Sequence, residues 1–150
     1  MNYIVINGPN INMIGIREPE IYGRDTYDDL CDFIKKSADE MGDTVTVVQS
    51  NSEGKVVDFI QESYGKYDGI VINAGAYTHY SYAILDALKA VSGKVAAVEV
   101  HLSDINKRDE FRKNSVIRPA CVDVVCGMGI KGYKEAAVRL KKYLADNDRI

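Results

Sequence analysis

Five short runs rich in β-branched residues alternate with stretches of helical period, and this alternation constrains the fold more than any other feature of the chain. The runs are "NYIVI" (2–6), "TVTVVQ" (44–49), "GIVIN" (69–73), "KVAAVEV" (94–100) and "VDVVC" (122–126). They are mostly continuous rather than alternating, the pattern of strands covered on both faces of a parallel sheet. Between them, apolar residues recur at helical spacing. Tyr27, Leu30, Cys31, Ile34, Ala38 and Met41 follow a cap-like "TYDD" and stop at Gly42. Val56, Val57, Ile60 and Tyr64 end at Gly65; Ile84, Leu88 and Val91 end near Gly93; Tyr133, Ala136, Ala137, Leu140 and Leu144 close the chain. The polar stretch "SDINKRDEFRKNS" leaves room for one short helix.

Strands alternating with helices give an α/β doubly wound sheet, and 150 residues suit one domain, 1–150. Right-handed crossovers favour the flavodoxin-like order 2-1-3-4-5, with helices on both faces. In that order the sheet reverses direction between strands 1 and 3, and ligands bind beyond the carboxyl ends of the strands there. The pattern of elements therefore predicts where chemistry sits before any motif is consulted: "NGPN" after strand 1, "NAGAYTH" after strand 3 and "EVHLS" at strand 4.

Composition narrows the partners. With 19 Lys+Arg against 22 Asp+Glu the net charge is −3, which argues against nucleic acid. No apolar run reaches the length of a membrane span, and no basic-then-apolar leader opens the chain, so a cytoplasmic enzyme or binding domain is expected. Cys31, Cys121 and Cys126 form no C-x-x-C pair and read as buried, reduced, inert thiols. Two histidines without a local Cys/His cluster give no metal site.

"GMGIKG" (Gly127, Gly129, Gly132) matches G-x-G-x-x-G after a strand. No later strand follows to carry the acidic ribose-binding residue of a dinucleotide site. Tight turning and close seating of the last helix on the sheet explain these glycines better.

Residues 7–26, "NGPNINMIGIREPEIYGRDT", join strand 1 to its helix with no period of either kind. Connections longer than about 12–15 residues are usually functional or disordered. This one carries Asn10, Arg17 and Tyr22 toward the predicted ligand edge. Asn73 and His79 follow strand 3; Glu99, His101 and Ser103 follow strand 4, with Arg108 and Arg112 beyond. Both histidines fall on that edge. Glu99 lies two residues before His101, on the same strand face, where its carboxylate can hold one ring nitrogen and fit the other for acid–base work. A free phenol, with a pKa of about 10, needs about 4 kcal/mol in favour of its anion to act as a base near pH 7. A guanidinium such as Arg17 is the usual means. Ser103 reads as a helix N-cap, and a helix start with Arg112 nearby suits an anionic group. From the residues alone, the ligand is an anionic, hydroxylated small molecule that undergoes proton transfer.

The blocks "INGPNINMIGIREPEIYG", "QSNSEG", "INAGAYTHYSYAILDAL", "EVHLSDINKRDEFRKNS" and "GMGIKGYKEAAVRL", in this order and spacing, resemble type II 3-dehydroquinate dehydratases (type II dehydroquinases) over nearly the whole chain. The resemblance implies a lyase of the shikimate pathway of aromatic amino acid and chorismate biosynthesis. In it Tyr22 removes the C2 proton of 3-dehydroquinate, Arg17 lowers the phenol pKa within a lid loop at about residues 9–25, and Asn10 holds a water against an enolate. His101, oriented by Glu99, protonates the departing C1 hydroxyl in an anti elimination that gives 3-dehydroshikimate. It further implies substrate binding by Asn73, His79, Leu102, Ser103 and Arg112, no cofactor, and Asp86 reaching a neighbour in a homo-oligomer of trimers assembled into a dodecamer. Family members usually carry Thr-Ser after the "TH" of the third block, where this chain reads "THYSYAIL" with Tyr80 and Tyr82, and Asn-x-His after "HLS", where Asp104 and Asn106 stand. The alternative is a flavodoxin-like domain binding FMN or another small ligand, which predicts a Ser/Thr-rich phosphate loop after strand 1.

Overall fold

The computed structural model describes residues 1–16, 19–22 and 24–150, with Pro19 and Tyr22 described in their backbone only. The strands are β1 (Asn2–Asn7), β2 (Thr44–Gln49), β3 (Gly69–Asn73), β4 (Ala96–His101) and β5 (Asp123–Cys126). The helices are α1 (Pro19–Tyr22), α2 (Tyr27–Glu40), α3 (Glu53–Glu62), α4 (Tyr82–Val91) and α5 (Lys131–Asp146). All strand pairs are parallel, in the order β2-β1-β3-β4-β5 expected from the sequence.

Period-2 side chains split the core into two layers. Tyr3 and Val5 of β1 pack with Leu30, Ile34, Leu140 and Leu144 on the α2/α5 face. Ile4 and Ile6 pack with Val56, Ile60, Ile84 and Leu88 on the α3/α4 face. Each fully buried aliphatic side chain contributes about 1.5–3 kcal/mol relative to exposure. The "TYDD" signal is a capping box: the Thr26 hydroxyl accepts from Asp29 N, and the Asp29 carboxylate accepts from Thr26 N. Among the described residues, no helix is long and apolar enough to cross a membrane.

The register brings the chemistry to one edge. Asn7 pairs with Gln49 on one side and Asn73 on the other, Ile72 pairs with Glu99, and His101 with Cys126. The loops after β1 and β3 lie backbone against backbone. A Cβ on Gly8 would meet the Ala74 carbonyl oxygen at 2.5 Å, and one on Gly75, at φ +58°, would meet that of Pro9 at 2.8 Å. Of the "GMGIKG" glycines, Gly127 and Gly129 turn the chain at positive φ, and Gly132 is seated so that a Cβ there would be in ordinary van der Waals contact with Val100 and Val125, at 3.4 and 3.5 Å. They are turn and packing glycines.

Two expectations are corrected. Residues 103–115 form no single short helix but two 3-10 turns, Ile105–Lys107 and Glu110–Arg112. The three thiols are free but half-buried rather than buried.

Candidate active site

After β1 the chain turns at Asn10, whose φ of 66° is left-handed, a conformation asparagine tolerates better than most residues. Its N–H donates to Asn51 Oδ1 at 3.1 Å. Gln49 Nε2 donates to Gly8 O, Asn12 Oδ1 and Asn51 Oδ1, and Tyr77 Oη to Asn51 O, so the "QSNSEG" segment braces this turn from behind.

After β3, Asn73 is buried and fixed from two sides. Its Nδ2 donates to Tyr133 Oη at 3.0 Å and its Oδ1 accepts from Gly75 N at 3.2 Å. Tyr133 Oη donates in turn to Asn7 Oδ1 at 2.7 Å. Burial pushes the Tyr133 phenol well above its usual pKa, so this hydroxyl is a structural hydrogen-bonding group and not an acid. His79 Nδ1 lies 2.7 Å from the Asn114 carbonyl, which requires an N–H there and leaves Nε2 as the acceptor of the neutral ring. Burial, the main cause, lowers the His79 pKa; the Asn114 carbonyl opposes it, and the charges of His101 and Arg112 add to it.

At the end of β4, Glu99 is wholly buried and His101 is 6% exposed. His101 Nε2 lies 2.5 Å from Glu99 Oε1. The second carboxylate oxygen accepts from Arg118 Nε at 2.9 Å. Burial pushes the Glu99 carboxyl up, but His101, Arg118 and the Ser115 hydroxyl more than cancel it and hold its pKa below the usual value. Glu99 is therefore an acceptor, Nε2–H donates to it, and Nδ1 of His101 is the nitrogen left for other partners.

These ends enclose a cavity of about 210 Å³ lined by Asn10, Asn73, His79, His101, Leu102, Ser103, Arg108 and Arg112, with Ile11, Ile14 and Ile105 as its apolar wall. Leu102 is buried and its carbonyl accepts from Gly129 N. Ser103 caps no helix. Asp104, one residue on, takes that place by accepting Asn106 N at 3.0 Å, because a carboxylate competes better than a hydroxyl for the free N–H. The Ser103 hydroxyl instead accepts from Arg108 Nη1 at 3.3 Å. Arg112 lies over the Phe111 ring, 3.7 Å from Asp109, with Nε buried and unbonded among the described residues.

Arg17 and the side chain of Tyr22 lie outside the described residues. Asp86 is exposed on α4 and does not line the cavity. Arg118, Tyr133, Gln49 and Asn51, which hold the functional side chains, were not foreseen. Gln49 and Asn51 lie at the end of β2, Tyr133 lies on α5, and Arg118 lies far along the β4–β5 connection, so each reaches the site through a contact made across the fold.

The parallel order and the cavity at the sheet edge define a flavodoxin-like α/β domain, and its buried Glu–His pair is a group able to exchange a proton with a small polar molecule. The family model for dehydroquinase class II matches residues 1–141, and the chain belongs to that family. It is 53% identical over 145 residues to the 3-dehydroquinate dehydratase of Clostridium acetobutylicum, covering 97% of this chain and 99% of that one. Among solved structures it resembles type II dehydroquinase from Butyrivibrio crossotus (TM-score 0.92, 48% identity, 94% of this chain and 97% of that one). It also resembles the type II dehydroquinase from Propionibacterium acnes (TM-score 0.89, 38% identity, 94% and 96%).

Proposed function

We propose that this chain removes water from 3-dehydroquinate by anti elimination, giving 3-dehydroshikimate within aromatic amino acid biosynthesis. The observation that carries the reading is the His101–Glu99 pair at a cavity that also presents Asn10, Asn73, His79 and Arg112. The names of the relatives supply the substrate.

Tyr22, as phenolate, takes the C2 proton, and Arg17 supplies the positive charge that makes the phenolate accessible near neutral pH. The C–H electrons move toward the C3 carbonyl, and a water held by Asn10 stabilises the enolate. As the enolate collapses, the C1=C2 bond forms and the C1–O bond breaks. His101, protonated on both nitrogens, gives its Nδ1 proton to the leaving hydroxyl, which departs as water. The ring ends neutral, with Nε2–H still on Glu99. Family resemblance supports this sequence of steps, which requires no cofactor, and so do the places of Asn10, Glu99 and His101 at the cavity.

Asn73, His79, Leu102, Ser103 and Arg112 bind the carboxylate and hydroxyls. Residues 9–25 act as the lid of a single catalytic domain, 1–150. Glu20 and Ile21 of α1 face Ser103 and Arg108 across an open space of about 840 Å³, a gap such a lid would cross. Family resemblance alone supports the cytoplasmic location, the dodecamer of trimers and the approach of Asp86 to a neighbour's site.

The test is the absorbance of the conjugated enone after addition of 3-dehydroquinate, with chelator present and after borohydride treatment carried out in the presence of substrate. Growth of the signal under both conditions is expected. A protein that forms no enone overturns the reading, and loss of activity to borohydride replaces the enolate route with a Schiff base.

A further inference from the structure

Arg118 approaches Glu99 from outside the substrate cavity. It belongs to a separate cavity of about 390 Å³, lined also by Ser115, Val124 and Cys126, and is absent from the lining of the first. Its side chain is 40% exposed whereas that of Glu99 is 0% exposed. The guanidinium thus keeps much of its hydration while neutralising a carboxylate that has none. That is an inexpensive way to hold a buried anion.

Resting on the reading of His101 as proton donor, we propose that Arg118 is a positioning residue for that step. It is a permanent cation that keeps Glu99 anionic and aligned in both halves of the cycle, so that the imidazole carries the mobile proton. While His101 is an imidazolium, Glu99 faces two cations, one on each oxygen. Once His101 has given its proton away, Glu99 keeps only a neutral N–H on Oε1. Without Arg118 the product of proton donation would contain a buried carboxylate that has lost the cation bonded to its second oxygen, and donation would be opposed.

Among the described residues, His101, Arg118 and Ser115 are the groups that lower the Glu99 pKa, and of these Arg118 is the permanent cation. From the segment after β4, Cys121 is a neutral thiol, pushed by burial up to about 12. From β5, Cys126 is likewise raised by burial, and Asp104 adds negative charge beside it. Across the cavity, His79 is held toward its neutral form, chiefly by burial. Arg112 acts on His79 and is not bonded to Glu99. A guanidinium cannot be deprotonated at working pH, so Arg118 is constant where a histidine or lysine would vary.

The test combines kinetics with NMR titration of the His101 ring in Arg118→Met, Arg118→Gln and Arg118→Lys; the chain has only two histidines to assign. Met and Gln should lower kcat roughly 10- to 100-fold with KM within about twofold. They should also raise the titration midpoint of the His101–Glu99 pair by about one pH unit, because losing the proton then uncovers an unpaired anion. Lys should restore most of the midpoint. If Met does not fold, Gln gives the same reading. An unmoved midpoint in folded Met or Gln protein, or equal losses in Lys and Met, overturns the proposal. The titration needs no turnover. A moved midpoint with an inactive wild type would fault the functional reading and leave the charge coupling intact.

Discussion

Glu99 and His101, two residues apart on β4, meet with Oε1 2.5 Å from Nε2 in a site where the carboxylate is wholly buried. Replacing the carboxylate by an isosteric amide keeps the volume but removes the charge that favours imidazolium. Glu99→Gln should therefore lower kcat by roughly 10²-fold while substrate still binds, as separate kcat and KM measurements would reveal. A rise in KM alone would make Glu99 a binding residue.

Asn10 combines a left-handed backbone with a place in the lining of the cavity. Asn10→Gly keeps the backbone at ease and deletes the amide, whereas Asn10→Ala deletes the amide and adds strain of about 1–2 kcal/mol. Both should lose turnover equally, and thermal melting should separate them, with Ala the less stable. If Gly retained wild-type turnover, Asn10 would matter for its conformation and not for a bound water.

Tyr133→Phe removes one hydroxyl from a buried chain of three side chains, Asn73–Tyr133–Asn7. Leaving Asn73 Nδ2 and Asn7 Oδ1 without their partner should cost about 1–3 kcal/mol in denaturant titration. The freed Asn73 side chain should also raise KM. Unchanged KM would mean that Gly75 N alone holds Asn73.

His79 makes stability depend on pH with a definite sign. Its folded pKa lies below the usual value of 6.5, so the unfolded chain binds more protons near pH 6. The contribution is full above the unfolded value and is lost as pH falls through the lower, folded one. Denaturation midpoints should drop between about pH 7 and pH 5, and His79→Gln should flatten that slope. A variant with the wild-type slope would place the effect elsewhere.

The elements were legible because hydrophobic period reports burial directly: β2 and β3 fall on 44–49 and 69–73 as expected, and the capping box begins α2. The edge of the sheet was legible for the same reason, since strand order fixes which loops meet. What the sequence hid is what long-range contacts decide. Arg118 stands 19 residues beyond Glu99 in a loop whose path no local signal predicts. Tyr133 carries the period of an α5 core residue, and only the structure reveals that its hydroxyl reaches Asn73 and Asn7. Ser103 was read as a cap because Ser and Asp compete for adjacent positions, and the charged neighbour wins.

The central claim is that one side chain from the loop after β1 and one from the end of β4 divide the proton transfers between them. The direct measurement is the rate of enone formation from 3-dehydroquinate by wild type, Tyr22→Phe and His101→Ala under identical conditions. Rapid formation by wild type, with losses of roughly 100-fold or more in each folded variant, is the predicted result. A Tyr22→Phe or His101→Ala protein that forms enone at the wild-type rate would contradict it.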